Sequence, residues 1–193
     1  MVLSTGFKKI KTAVFISGTG SNLKSLIKFT KKKKSPISLD LIISNNKKAK
    51  GLNYGKIFKI KKKIFNFKKK NHAENLLLLE LKKNHIEIIC LAGFMKILSN
   101  NFIKKFKGKI LNIHPSLLPK YKGLNTHKRV LKNNEKYSGC TVHYVNSRLD
   151  SGKIILQKKV KIKKNETEAS LKRKILLQEH LLYPKAILKI FNL

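Results

Sequence analysis

Short apolar runs alternate with helix-periodic segments along this chain, and that alternation admits few folds. Thr12–Ser17 (TAVFIS) reads as a buried strand bounded by Gly18 and Gly20. Ser21–Phe29 then sets Leu23, Leu26 and Ile27 at helical spacing. Leu39–Ser44 is a second strand and Lys56–Ile60 a weak third. Asn71–Asn84, with Leu76, Leu77, Leu79 and Leu81, reads as a helix with one apolar face. Glu87–Ala92 and Lys109–His114 are further strands, separated by a helix expected over Phe94–Phe106. A helix over Asn125–Asn134, strands over Gly139–Asn146 and Lys153–Ile162, and a long helix from Glu166 to about Ile190 complete the pattern. Thr167 or Asn165 is the expected cap of that last helix. Strands alternating with helices predict an α/β fold: a mainly parallel, Rossmann-like sheet flanked by helices. No internal repeat or flexible linker interrupts it, so residues 1–193 are read as one domain. In such sheets ligands sit beyond the carboxyl ends of the strands. That directs attention to the loops after Ser17, Ala92, His114 and Asn146.

Three motifs in those loops can carry chemistry. SGTGSN, Ser17–Asn22, follows a strand and opens a helix. Its glycines permit a tight turn, and a helix N-terminus attracts an anion such as phosphate. It is neither a dinucleotide fingerprint, because Leu23 stands where the third glycine belongs, nor a P-loop. A purely structural turn with Ser21 as helix cap remains open. NIHPSLLP, Asn112–Pro119, ends a strand. With period two, Asn112 and His114 share a face, and an amide beside an imidazole can donate to a developing oxyanion. A histidine merely satisfied by hydrogen bonds is the alternative. Asp150, in RLDSG, is one of two aspartates in the chain. It is either a turn residue or a partner for His114, since a carboxylate within reach favours the charged form of an imidazole. Cys90 and Cys140 exclude a disulfide framework, and Cys90 reads as a small core residue. His72, His85, His127, His143 and His180 show no metal-ligand spacing, so no metal is expected.

The charge invites a different function. Lys and Arg total 45 against 9 acidic residues, a net charge of +36, and basic surfaces attract nucleic acid. Yet 42 of the 45 are Lys and 3 are Arg, whereas dedicated nucleic-acid sites also use the bidentate Arg fork. Lys, Asn (17) and Ile (22) are inflated together, and all three have AT-rich codons, which points to codon drift. Lys31–Lys34, Lys61–Lys63 and Lys68–Lys70 are accordingly expected as solvated loops or helix ends. No specific nucleic-acid partner is expected. Leu, Ile, Val and Phe number 65, enough for a core despite the charge. No apolar run approaches the ~20 residues of a membrane span, and the N-terminus lacks an apolar signal stretch, so a cytoplasmic location is expected.

SGTGSNL, LAGFMKILS, LNIHPSLLPKYKGLNTH, the turn ending LDSG and the late QEHLLYP together resemble the phosphoribosylglycinamide formyltransferase family, folate-dependent enzymes of purine synthesis. The resemblance runs in order from about residue 12 to the C-terminus and is weakest between Ile57 and Lys70. It implies transfer of a formyl group from 10-formyltetrahydrofolate to the amine of glycinamide ribonucleotide, by a monomer or homodimer. It implies a catalytic triad of Asn112, His114 and Asp150. It assigns Gly20, Ser21, Asn22, Gln178 and Glu179 to the ribonucleotide and its phosphate. For the folate it implies Lys70, Met95, Lys96, Ile97, Leu98, Asn112, Asn146, Ser147, Arg148, Leu149 and Asp150. Two departures stand out: Lys70 falls where the family often has Arg, and Asn125 falls where a His is common. The related methionyl-tRNA formyltransferases share the Asn–His–Asp core but carry a further β-barrel domain, and only about 30 residues follow Lys161, which argues for the glycinamide branch.

Overall fold

The computed structural model describes residues 8–193; the N-terminal segment in which the sequence shows no signal stretch lies outside them. Five parallel strands form the body of one sheet: β1 (Ile10–Ile16), β2 (Ile37–Ser44), β3 (Lys61–Ile64), β4 (Ile88–Leu91) and β5 (Lys109–His114). β6 (Tyr137–Tyr144) and β7 (Ile154–Lys161) add antiparallel to β5, giving the order β3-β2-β1-β4-β5-β6-β7. Six helices accompany them: α1 (Ser21–Thr30), α2 (Asn53–Ile57), α3 (Lys70–Lys83), α4 (Asn100–Lys105), α5 (Thr126–Lys132) and α6 (Glu168–Ile190). Among the described residues no helix is long and apolar enough to cross a membrane.

The alternation along β1 shows how both faces are covered. Val14 and Ile16 pack into one core with Leu23, Leu26 and Ile27 of α1 and Leu171, Ile175, Tyr183 and Ile187 of α6. Ala13 and Phe15 point the other way, to Leu77 and Leu81 of α3 and Phe102 of α4. Period two in the strand thus feeds two helix layers. Each fully buried Leu, Ile or Phe contributes roughly 1.5–3 kcal/mol. The strand order turns back between β1 and β4, which opens a crevice above their carboxyl ends.

Four local expectations need correction. The third strand lies at Lys61–Ile64, and Lys56–Ile60 instead supplies the end of α2 and a turn. The lysine run Lys61–Lys63 is therefore strand, not loop. Every residue of β3 is exposed, so no apolar alternation marks it; its register with Leu41–Ser44 of β2 makes it a strand. The helix expected over Phe94–Phe106 shrinks to α4. Gly93 turns the chain at φ 76°, and Phe94 meets Phe15 and Phe67 edge-on at 5.3 and 5.6 Å. The apolar residues there anchor a loop rather than line a helix. Ser99 starts α4 by accepting the Phe102 N–H. Finally, Leu76 and Leu79 of α3 are exposed, the buried stripe being Ala73, Leu77 and Leu81.

Candidate active site

Leu111 and Ile113 of β5 enter the core beneath α1 and α6, so Asn112 and His114 take the opposite face. β6 returns antiparallel and sets His143 against Asn112 and Thr141 against His114. The pairing places His143 on the same face, buried. Asp150 arrives from the turn after β6 in the left-handed region, φ 45°, which Asp tolerates better than most residues.

The Asp150 carboxylate is the hub of this cluster. Its Oδ2 accepts the Gly123 backbone N–H at 2.9 Å and stands 3.3 Å from His114 Nδ1. Its Oδ1 lies 3.4 Å from Asn112 Nδ2 and 3.7 Å from His143 Nε2. The partners fix proton positions. His143 Nδ1 faces the Tyr144 carbonyl at 2.8 Å, so it carries the hydrogen. His143 Nε2 then accepts from Asn112 Nδ2 at 3.1 Å. Burial lowers the His143 pKa, consistent with a neutral ring. His114 Nε2 donates to the Tyr121 carbonyl at 2.9 Å. Both His114 nitrogens face oxygen acceptors, an arrangement a doubly protonated ring fills. Asn112 is half-buried and its 3.4 Å contact is the looser of two, so that N–H is the one a substrate oxygen can take over.

The glycine loop forms a second group. Gly20, at φ 73°, is the N-cap of α1, and no side chain caps the helix. Ser21 is its first residue rather than the expected cap. The first-turn N–H groups therefore remain available to an anion. A Cβ at Gly20 would meet the Gly51 Cα at 2.8 Å, and the Gly51 N–H donates to the Gly18 carbonyl at 3.0 Å. The loop is clamped from the β2 side. Asn22 Nδ2 donates to Glu179 of α6 at 2.7 Å; Asn22 Oδ1 is buried without a protein partner. Burial pushes the Glu179 pKa up to about 7, against the lowering effect of Asn22. Gln178 beside it is half-buried.

A cleft of about 510 Å³ opens above the crevice, lined by Ser17, Asn45, Asn46, Asn66, Phe67, Lys68, Met95 and Lys96. Ser17 Oγ accepts the Met95 N–H at 2.7 Å and ties its two walls together. Of the expected folate positions, Met95 and Lys96 line this cleft, and Ile97 is exposed nearby in sequence. Leu98 is buried in the core under α3 and α4, so its side chain faces away from any ligand. Lys70 starts α3 and does not line the cleft; Lys68 does. Asn146, Ser147, Arg148 and Leu149 form an exposed turn, in which Asn146 Oδ1 accepts the Arg148 N–H at 3.0 Å. Sequence reasoning missed His143, Gly51, Asn45, Asn46 and Lys68. The buried alternation of Thr141 with His143 was the available signal, but only the β5–β6 register gives it meaning. Among the described residues no group of three His, Cys, Asp or Glu side chains is placed to hold a metal ion. Cys90 is fully buried, its thiol pushed up to about 12 by desolvation.

Residues 10–187 match the family model described as formyl transferase. The phosphoribosylglycinamide formyltransferase of Haemophilus influenzae is 40% identical over 92% of this chain and 85% of its own. The human trifunctional purine biosynthetic protein adenosine-3 is 44% identical over 93% of this chain. The chain spans only 18% of that relative's length. The solved phosphoribosylglycinamide formyltransferase of Brucella melitensis superposes with a TM-score of 0.89 at 39% identity, covering 95% of this chain and 96% of that one.

Proposed function

The chain belongs to the formyl transferase family, and on that premise we propose that it transfers the formyl group of 10-formyltetrahydrofolate to the amine of 5'-phosphoribosylglycinamide. In this reading residues 1–193 work as one catalytic domain. The observation that carries the reading is the convergence of Asn112, His114 and Asp150 at the carboxyl end of β5. The likeness to the Haemophilus influenzae enzyme over most of both chains supports the choice of substrates.

The neutral amine attacks the formyl carbon, forming a C–N bond and turning the formyl oxygen into an oxyanion. The Asn112 N–H and the His114 Nδ1–H, each exchanged from its contact with Asp150, supply hydrogen bonds to that oxygen. Such donors are typically worth about 10²–10³ in rate each. Asp150 orients both donors and accepts the proton lost by the amine, through a water. Collapse of the intermediate breaks the bond to the folate nitrogen, which takes up a proton. The loop Gly20–Asn22, with Gln178 and Glu179, holds the phosphoribosyl end. Met95 to Leu98, Asn146 to Asp150 and a lysine at the mouth of the cleft hold the folate, Leu98 through its backbone alone. All these groups belong to the protein and the two substrates, so the reaction is expected to run without added metal.

The test is an assay of the purified protein with both substrates and no metal. The expected result is a ribonucleotide heavier by one carbonyl unit, with stoichiometric loss of the formyl folate. A folded protein that leaves glycinamide ribonucleotide unmodified would overturn the reading.

A further inference from the structure

The ring of His114 is held from behind by a residue outside the triad. His114 Nε2 donates to the backbone carbonyl of Tyr121 at 2.9 Å. Tyr121 has a left-handed backbone, φ 57°, a strained setting for an aromatic residue that the surroundings must enforce. The enforcement is visible. The Tyr121 hydroxyl donates to Glu135 Oε1 at 2.9 Å and accepts from Asn133 Nδ2 at 3.0 Å. Lys120 Nζ reaches the same Glu135 oxygen at 3.0 Å. The Arg129 guanidinium lies 5.4 Å from the centre of the Tyr121 ring and donates to the Lys122 carbonyl at 2.6 Å. Tyr121 also packs against the core, and with Glu135 it borders a cavity of about 240 Å³. The hydroxyl's hydrogen bonds tie the side chain down and so help hold the left-handed backbone that aims the carbonyl at His114.

We propose that Tyr121 and Glu135 are positioning residues for His114: the Glu135 carboxylate fixes the Tyr121 hydroxyl, and that fixes the carbonyl against which the imidazole is set. The role rests on the proposed formyl transfer only insofar as His114 serves that reaction. A displacement of about 1 Å in a catalytic group can cost on the order of 10²-fold, and partial release of one anchor falls short of that. Tyr121→Phe and Glu135→Gln should each lower kcat about tenfold and leave both KM values within about twofold. The double variant should be no worse than the worse single, because both break one anchor. Glu166→Gln, which removes a carboxylate bonded to Lys174 and Ser170 rather than to any residue of the triad, controls for the loss of one negative charge and should leave kcat unchanged.

A second measurement needs no substrate. Nitrogen-detected NMR of the ligand-free protein should show the His114 Nε2–H as a slowly exchanging proton, and both variants should abolish that slow exchange. A kcat within twofold of the parent, or the same slowly exchanging proton in both variants, would overturn the proposal. A parent that fails to formylate glycinamide ribonucleotide counts against the proposed function alone, since the NMR comparison still decides the anchor.

Discussion

Two regions of the sheet, its β3 edge and the β5–β6 pair, answer to different physics. At the β3 edge, Lys61, Lys62 and Lys63 are exposed in succession, and Lys61 pairs with Glu80 at 2.7 Å. Charges along an edge discourage pairing with another chain but require no particular geometry. Around β5 and β6, Asn112, His114, His143 and Asp150 share one bonded cluster in which each distance matters. The acids show the same division. Asp40, Glu74, Glu80, Glu135, Asp150, Glu166 and Glu179 all accept hydrogen bonds. A composition can drift toward lysine wherever lysine only meets water, while seven of the nine carboxylates sit where a donor meets them.

The largest effect should come from the bonded cluster. His114→Ala and Asp150→Asn are each expected to lower turnover by about 10²–10⁴, the range for oxyanion donors and acid–base groups. Circular dichroism should show the fold intact. Either variant retaining more than about a tenth of the parent rate would place the chemistry elsewhere.

Next comes the glycine loop. Gly20→Val adds a β-branched side chain at φ 73° and drives it into the Gly51 Cα. The KM for the ribonucleotide should rise about tenfold or more, equivalent to about 1.4 kcal/mol of binding. The KM for the folate should move less than twofold. An equal rise in both would indicate general misfolding.

How far these sites could be read from sequence depends on whether their signal was local. Asn112 and His114 were legible because two residues apart on a strand means one face, whatever the rest does. The Gly18–Gly20 turn was legible because glycine spacing reports backbone shape directly. His143 was not, because its meaning comes from the register between β5 and β6. β3 escaped because three lysines carry no alternation, and only the β2 neighbour makes them strand. The residues after Gly93 misled because apolar spacing that anchors a loop through Phe94 and Leu98 looks like a helix face. Ser99 accepting the Phe102 N–H was the overlooked local marker of where α4 begins.

Glu179 gives an effect read in stability rather than rate. Its folded pKa is raised from 4.5 to about 7 by burial. The folded state therefore holds a proton that the unfolded state has released between those values, and stability falls as pH rises through that window. Glu179→Gln removes the titration. The variant should gain stability over the parent at pH 8, on the order of 2–3 kcal/mol, and little or nothing at pH 4. Denaturant unfolding at the two pH values measures it, and a gain independent of pH would exclude titration as its origin.

The smallest effects belong to the lysine edge, and they should carry the opposite salt signature from a bonded cluster. With a net charge of +36, like-charge repulsion acts across the whole surface and opposes the compact state. Added salt shortens its reach to about 8 Å at physiological ionic strength, so Tm should rise by a few degrees between low and moderate salt. Lys62→Thr with Lys63→Thr should raise the low-salt Tm slightly, flatten its salt dependence and change kcat less than twofold, since neither residue belongs to the Asn112–His114–Asp150 cluster. Capture of the anionic substrates should slow as salt rises, while turnover at saturation holds steady. A Tm that falls steadily with salt would mean that attractive ion pairs outweigh the repulsion. The lysines would then contribute to the fold as specifically as the carboxylates do.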